Sequence, residues 1–363
     1  MANEFITTEH TQVMQGLIRE IVNDPSTYLG SKYLPSESVP QSVIRNEIIE
    51  ASGGLTNEHV IGTDPTYIRS FGTRVEEFAP PQYKEAIHYD EKKILHLRSL
   101  GQNDPSKRGI KQYIDNDFDR LKRRLEARIE YQRWQALFTG SFTWEGATFS
   151  YGIPSGNRTT PLGAVWSSDS INANNSANPL IDYRYWTNGG LAAFRKYKIT
   201  KGVMNGNTAR WMLDNSNTRA FIASLGANGA FSSGGFDLQK VIDFCIPGAP
   251  PVEIYNGWYQ SESIDGNGKL VVGDAQYFIP DGYIFFEANL PDGDMVGKFE
   301  EGVHLSSGDM DNPGVGRFLV VDDNIASGTK GGPKNPYFDL VSGVYGGVNL
   351  KRSFDVLTAK VIS

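Results

Sequence analysis

Between positions 120 and 133 the chain places Arg120, Lys122, Arg123, Arg124, Arg128 and Arg133. Cations at that density are what a phosphate backbone calls for, because each neutralised phosphate releases bound counterions. The same stretch holds Asp119, Glu126 and Glu130, and Asp119 with Arg123 stands at i, i+4, the spacing of ion pairs along a solvated helix face. A third use fits the pattern better. Guanidinium forks held on a rigid helix form ion pairs between subunits.

Groups that could activate water, hold a metal or attack a carbonyl are scattered. His10, His59, His88, His96 and His304 include no pair at metal-ligand spacing, and His88 with His96 lies in a strand-like stretch that does not converge on an ion. Asp265-Gly-Asn-Gly opens like a calcium loop, but position 276 is Gln where the loop needs Glu, so the stretch reads as a hairpin turn. Gly314-Val-Gly316 lacks the third glycine of a dinucleotide site, and no Gly-x-Ser-x-Gly elbow occurs. The pairs Glu300-Glu301 and Asp322-Asp323 read as solvated loop carboxylates rather than the acid and base of a glycosidase. The reading is of a non-enzyme with no catalytic, cofactor-binding or metal residues.

The elements that would hold these side chains are partly legible. From Asp115 to Thr139, Phe118, Leu121, Leu125, Ile129, Gln132 and Ala136 recur every three or four residues, which predicts a helix of roughly 37 Å. Asp115, Asp117 and Asp119 would suit its first turns, and Gly140 its C-terminal cap. Residues 11–22 predict a short amphipathic helix, and the stretch to about 54, with Pro35 and Pro40, an extended strap. Alternation over Thr73–Phe78 and Tyr83–Tyr89 predicts two strands joined through Ala79-Pro80-Pro81, a charged two-stranded arm that buries too little to stand alone. Beyond the long helix come a hairpin turning at Glu145-Gly146, helices at 181–197 and 207–225 around a strand at Gly202–Met204, and five short strands. Those are expected at Val252–Tyr255, Trp258–Ser261, Lys269–Val272, Gln276–Ile279 and Gly282–Phe286. Further strands are expected at Arg317–Val321, Phe338–Tyr345 and Val356–Ile362.

Bulk properties narrow the class. The chain is long enough for more than one core, and 35 basic against 42 acidic residues give a formal charge of −7, which advertises no nucleic-acid surface. No apolar run reaches the roughly 18 residues of a membrane span, and the first residues lack the pattern of a signal peptide. Cys245 sits in the apolar run Val241–Ile246, so the expectation is a buried structural thiol in a reducing, cytoplasmic setting.

Four stretches in order carry a resemblance. They are Arg128–Gly140 followed by Phe149-Ser-Tyr-Gly-Ile; Val165-Trp-Ser with Asn178-Pro-Leu-Ile-Asp; Gly202-Val-Met-Asn with Trp211-Met-Leu-Asp-Asn; and Gln276-Tyr-Phe-Ile-Pro-Asp-Gly-Tyr-Ile with Gly297 to His304. The chain resembles the lambda-type major head protein family of tailed phages (capsid protein E), whose α+β fold is of the Hong Kong 97 type. The resemblance implies an N-terminal arm over 1–54 and an extended two-stranded loop over 55–100. It implies a peripheral domain over 101–180 and 316–363 built on a spine helix at 115–139, and an axial domain over 181–315. It implies self-assembly into hexamers and pentamers of an icosahedral head around double-stranded DNA, which is contacted non-specifically. Implied partners are further copies of the chain, a scaffold, a portal and a decoration protein, with no membrane. The location is the virion, after assembly in the host cytoplasm. Arg69, Arg74, Glu76, Glu77, Lys84, Glu85, Arg124 and Arg128 are the expected intersubunit contacts. Lys84, Lys92 and Lys93 match no crosslinking motif, so no crosslink is expected. Two competing readings are an encapsulin-like compartment shell and a β-rich carbohydrate-acting enzyme or binding module, the latter drawn from Trp166, Trp186 and Trp258 taken as exposed.

Overall fold

A computed structural model describes residues 28–49, 73–90, 92–93, 108–144, 147–166, 176–191, 194–196, 198–224, 238–264, 270–289, 295–304, 314–323 and 338–362. The helix expected at 11–22, Arg69, His10, His59, His96 and the turn at Asp265–Gly268 lie outside these residues. The chain divides into two compact units. One takes the chain up to Arg45 with Glu77–Gln132 and Lys298–Asn349; the other takes Asn46–Glu76, Arg133–Gly297 and Leu350–Ser363.

The first unit is built on strand Phe338–Asn349. Its first half lies antiparallel between Arg317–Asp323 and Gln82–Tyr89, and its end pairs with Lys298–Glu301, which carries Ser36–Ser38 in parallel on its other side. This changes the expected arm. Thr73–Phe78 and Gln82–Tyr89 both form, but not as a pair: the former pairs with Ile44–Ile49, the latter with the distant strand from Phe338. Pro80 and Pro81 cannot donate ladder bonds, so the chain between the strands passes from one partner to another instead of closing a hairpin. Glu300 and Glu301, expected on a solvated loop, are buried in a strand. Asp322 and Asp323, expected on a loop too, end strand Arg317–Asp323.

The long helix runs from Arg108 to Thr139, 32 residues and roughly 48 Å, so it starts seven residues before the expected Asp115. Nothing between Gly109 and Gly140 breaks it. The three aspartates consequently fall past the first turn, which contains no acidic residue, and do not serve the helix dipole as expected. Its end is as read: Gly140 has φ +57, and its N–H donates to the Ala136 carbonyl at 3.0 Å.

The second unit holds a five-stranded sheet in the order Arg158–Thr159, Leu357–Lys360, Tyr283–Asn289, Lys198–Met204, Val252–Ile254. Its core gathers Trp166, Tyr183, Trp186, Phe194, Met212, Val241 and Phe286, all at most 1% exposed. The helix expected at 181–197 ends at Thr187, because Asn188-Gly189-Gly190 turns the chain; Gly189 has φ +72 and the Gly190 N–H caps the Tyr185 carbonyl at 2.8 Å. The helix expected at 207–225 is two, Gly206–Asp214 and Ser216–Ser224. Asn215 breaks the first with ψ 133, and its Oδ1 caps the second by accepting from the Asn217 and Thr218 N–H groups at 2.9 and 3.3 Å. The two strands expected between Lys269 and Ile279 are one, Leu270–Tyr277, paired among the described residues with Trp258–Ile264 alone. Cys245, expected buried, is half-buried at the end of helix Leu238–Cys245, and burial raises its thiol pKa.

Candidate functional site

The eight residues expected to touch neighbours divide once placed. Along strand Gln82–Tyr89 the odd-numbered side chains meet the long helix. Gln132 Nε2 donates to the Tyr83 hydroxyl, Arg128 lies over the Tyr83 ring at 4.8 Å, Arg124 grips Glu85 through Nε and Nη2 at 2.6 and 2.9 Å, and the Tyr89 hydroxyl donates to Asp117. The geometry explains the regularity. Six strand steps from 83 to 89 cover about 20 Å, and fifteen helix steps from 132 to 117 about 22 Å, so the two run antiparallel in step. Arg124 and Arg128 therefore make these contacts within the chain.

Each pKa shift along this seam follows from its neighbours. The fork from Arg124 holds the Glu85 carboxyl below the usual range, against a smaller opposing effect of burial. Burial lifts the Tyr83 phenol above its ordinary value, with Arg128 pulling the other way. Burial first, then the hydrogen bond to Asp117, keeps the Tyr89 phenol protonated well past its usual range. Arg124 and Glu85 are 35% and 47% exposed, so the pair contributes at most about 1 kcal/mol.

The even-numbered side chains of the strand turn away. Lys84 is exposed, and His88 Nδ1 meets Asp339 Oδ1 at 2.6 Å, directly across the ladder. On strand Thr73–Phe78, Arg74 and Glu76 hold their expected places along the chain, and Glu77 reaches Arg45 at 3.8 Å with both side chains more than half exposed. The basic run on the helix is not uniformly solvated either: Arg133 and Glu130 are buried.

The sequence gives no warning of a second group of charges. Glu130, wholly buried, accepts the Gly30 N–H at 2.8 Å, and a Cβ on residue 30 would lie 2.6 Å from its Oε2, which is why glycine stands there. Arg317 donates from Nε to Glu301 at 2.8 Å and from Nη2 to Ser36 Oγ at 3.1 Å, and its Nη1 lies 3.9 Å from Glu126. Asn349 Nδ2 donates to Glu300 at 2.7 Å, and Lys298 reaches Glu37 at 2.5 Å. Contacts from Glu130, Arg317 and Lys298 fasten the segment from Gly30 to Ser38, whose last strand, Ser36–Ser38, is exposed throughout, alongside the buried Tyr33 and Leu34. Their partners lie from 16 to 281 positions away, so no local pattern could have signalled them.

Chemistry of other kinds finds no geometry. Among the described residues no cluster of His, Cys, Asp or Glu could hold a metal, and no helix is long and apolar enough to cross a membrane. His304 packs on Phe318 with ring centroids 4.6 Å apart, and burial lowers its pKa. Trp166 and Trp186, read as exposed carbohydrate platforms, are wholly buried and stacked on each other at 5.9 Å, which removes that argument; Trp258 alone of the three is exposed, at 57%.

Residues 11–319 match the family described as phage major capsid protein E. No curated protein matches the chain. Among solved structures, one assigned as a capsid protein of an E. coli CFT073 prophage shares 14% identity over 97% of this chain and 98% of its own, with a TM-score of 0.55. A phage-related protein of Bordetella bronchiseptica RB50 shares 9% identity over 96% of each chain, with a TM-score of 0.46. The capsid of an empty GTA particle shares 12% over 94% of this chain and 91% of its own, with a TM-score of 0.44.

Proposed function

The chain belongs to the phage major capsid protein E family, and from that premise we propose that it builds hexamers and pentamers of an icosahedral head around double-stranded DNA. It is a structural capsid protein of a tailed phage, with the α+β fold of the Hong Kong 97 type, and its place is the capsid of the virion, which many copies of it compose.

One observation supports the subunit reading beyond family membership. Among the described residues four two-stranded ribbons pair within themselves: Ile44–Ile49 with Thr73–Phe78, Ser141–Trp144 with Ala147–Ser150, Trp258–Ile264 with Leu270–Tyr277, and the short Val303–His304 with Gly314–Val315. An isolated ribbon is marginal in water. A chain that keeps such ribbons is suited to a setting where neighbours cover those still open, and assembly then completes the fold.

On this reading the arm covers 1–54, the extended loop 55–100, the peripheral domain 101–180 with 316–363, and the axial domain 181–315. Arg69, Arg74, Glu76, Glu77 and Lys84 are the intersubunit contacts, while Glu85, Arg124 and Arg128 brace the strand that presents Lys84. A scaffold and a portal act with it in the host cytoplasm, a decoration protein on the finished head is a further partner, and it catalyses no reaction. With a charge of −7 the chain offers packaged DNA little to adhere to. Electron microscopy of the purified chain, with its scaffold where one is encoded beside it, tests this. Closed shells with five-fold and six-fold capsomers are expected; a chain that stays monomeric overturns the reading.

A further inference from the structure

The ribbon of Trp258–Ile264 and Leu270–Tyr277 in the second unit exposes several large apolar side chains. Its register places Trp258 opposite Tyr277 and Gln260 opposite Ala275 before a bulge, then Glu262 opposite Val272. Side chains alternate along Trp258–Ile264 and the extra residue of the bulge lies on the other strand, so Trp258, Glu262, Val272 and Ala275 share one face, while Val271 and Gly273 lie on the other with Ser261. Both faces are open: Trp258, Val271 and Val272 are 57%, 44% and 49% exposed. The two strands contain no lysine or arginine, and Glu262 and Asp274 make the ribbon acidic.

The same unit carries an apolar patch of opposite sign. Helices Ser216–Ser224 and Leu238–Cys245 expose Phe221 and Phe244 at 43% and 47%. Lys240 lies four residues before Phe244, hence on its side of the helix, and is exposed. Nearby, Arg210 and Arg219 both bind the one carboxylate of Asp214, at 3.1 and 2.5 Å. With Asp243 the only other acid on helices Gly206–Asp214, Ser216–Ser224 and Leu238–Cys245, these helices keep an excess positive charge.

We propose that the ribbon is a clasp that lies on the Lys240–Phe244 helix face of a second copy of this chain. The inference rests on the shell-subunit reading and names the surfaces that it leaves open. An acidic apolar patch cannot pair with itself across a two-fold axis without setting like charges together. Two different patches of opposite sign on one subunit instead give a head-to-tail contact, and such contacts close into rings. Aromatic residues at the centre with charges beside them are the composition of a specific contact.

Charge reversal on each side tests it. D274K and K240E are both exposed positions, so each variant is expected to keep the thermal melt of the unaltered chain while lowering shell yield by about tenfold, the equivalent of one lost contact of moderate strength. The double variant D274K/K240E on one chain is expected to recover yield, since each copy then meets a neighbour with the charges exchanged. A V272E variant, which removes apolar contact without touching Lys240, is expected to fall with no rescue by K240E. Normal shells from D274K and V272E, with shells from the unaltered chain, overturn the clasp and leave the subunit reading standing. A double variant no better than either single one overturns the assignment of the helix face. No shells from the unaltered chain overturn both, because there is then no second copy to clasp.

Discussion

Trp186 and Glu301 are both nearly inaccessible to solvent, and their surroundings differ in kind. Trp186 lies among Trp166 at 5.9 Å and Phe286 at 6.0 Å, in a core where helices and sheet of one unit close over aromatic and aliphatic side chains. Glu301 lies in a strand whose neighbours supply an arginine, and beside it Glu300 takes an amide N–H from Asn349. The first region is held by burial, which is non-directional and indifferent to salt. The second adds, to the buried Phe299, Leu340, Val344 and Val348, groups that cost several kcal/mol to desolvate and repay it only with partners in place. A shell subunit gains from having both. One unit closes on an apolar core, and the other fastens a strap through charged contacts that salt screens.

The sharpest way to break that contrast is to remove its apolar half. Trp186→Ala leaves a cavity in the core and should cost about 3–5 kcal/mol, enough to deplete the folded subunit, as read by urea denaturation. Its effect should not change with ionic strength. A salt-dependent loss would mean the aromatic core is not self-sufficient.

Removing the charged half comes next. Arg317→Ala leaves Glu301, with 6% of its side chain exposed, without its cation and should cost about 3 kcal/mol. Replacing both, Arg317→Met with Glu301→Leu, should return most of the loss, since a buried pair exchanged for apolar groups is often neutral. Full recovery of stability together with faster proteolysis after residue 38 would sharpen the contrast: the pair would then serve to hold Ser36 and the strap rather than to stabilise the sheet.

How far the sequence reaches follows the same division. The long helix, its glycine stop and the hairpin at residues 141–150 are local patterns, and periodicity or turn residues reveal them. The helix break at Asn215 and the turn at Asn188-Gly189-Gly190 were also written locally, as capping residues inside runs that otherwise look continuous. The pairing of residues 82–89 with 338–345 was not legible, because alternation marks a strand without naming its partner. Nor were Gly30 with Glu130 or Ser36 with Arg317, for which a short polar segment must be matched to charges far along the chain. Buried charges read as solvated ones for the same reason: Glu300, Glu301 and Arg133 look like surface residues until their partners are placed. The family resemblance covered part of this gap by supplying an order of segments, but it did not signal that Arg124 and Glu85 meet within the chain.

Acid separates the two regions by a smaller effect with an unusual sign. Asp182 is buried in the aromatic unit, where desolvation raises its pKa even though Trp166 Nε1 at 2.8 Å and the Leu162 N–H at 3.0 Å favour its ionised form. A carboxyl raised above its unfolded value holds its proton more tightly when folded, so its contribution to stability grows as pH falls toward the ordinary aspartate range and is lost as pH rises through the folded value. Glu85, lowered by Arg124, does the opposite: its contribution is present above the ordinary glutamate range and lost as pH falls through the folded value. Urea titrations across mildly acidic pH should therefore show Asp182→Asn losing an acid-side gain and Glu85→Gln losing an acid-side decline. Equal slopes in both variants would mean that neither group titrates as its surroundings require.

The smallest effect on the subunit bears most directly on what the arginines of the long helix do. Arg124→Glu should change the stability of the isolated chain by at most about 1 kcal/mol, because the pair is half-exposed. The loss should shrink further in salt, as screening requires. Its effect on shells is expected to be larger if, as proposed, strand Gln82–Tyr89 carries Lys84 to a neighbour, since the fork to Glu85 fixes where that strand lies. Mixing decides whether the pair acts within a chain or between chains. When R124E and E85R subunits are combined, opposite charges can meet only across an interface, so recovery of shell yield in the mixture would place the contact between copies. The 2.6 and 2.9 Å bonds within one chain lead to the other expectation: the mixture stays defective, and only the double variant, with both changes on the same chain, assembles.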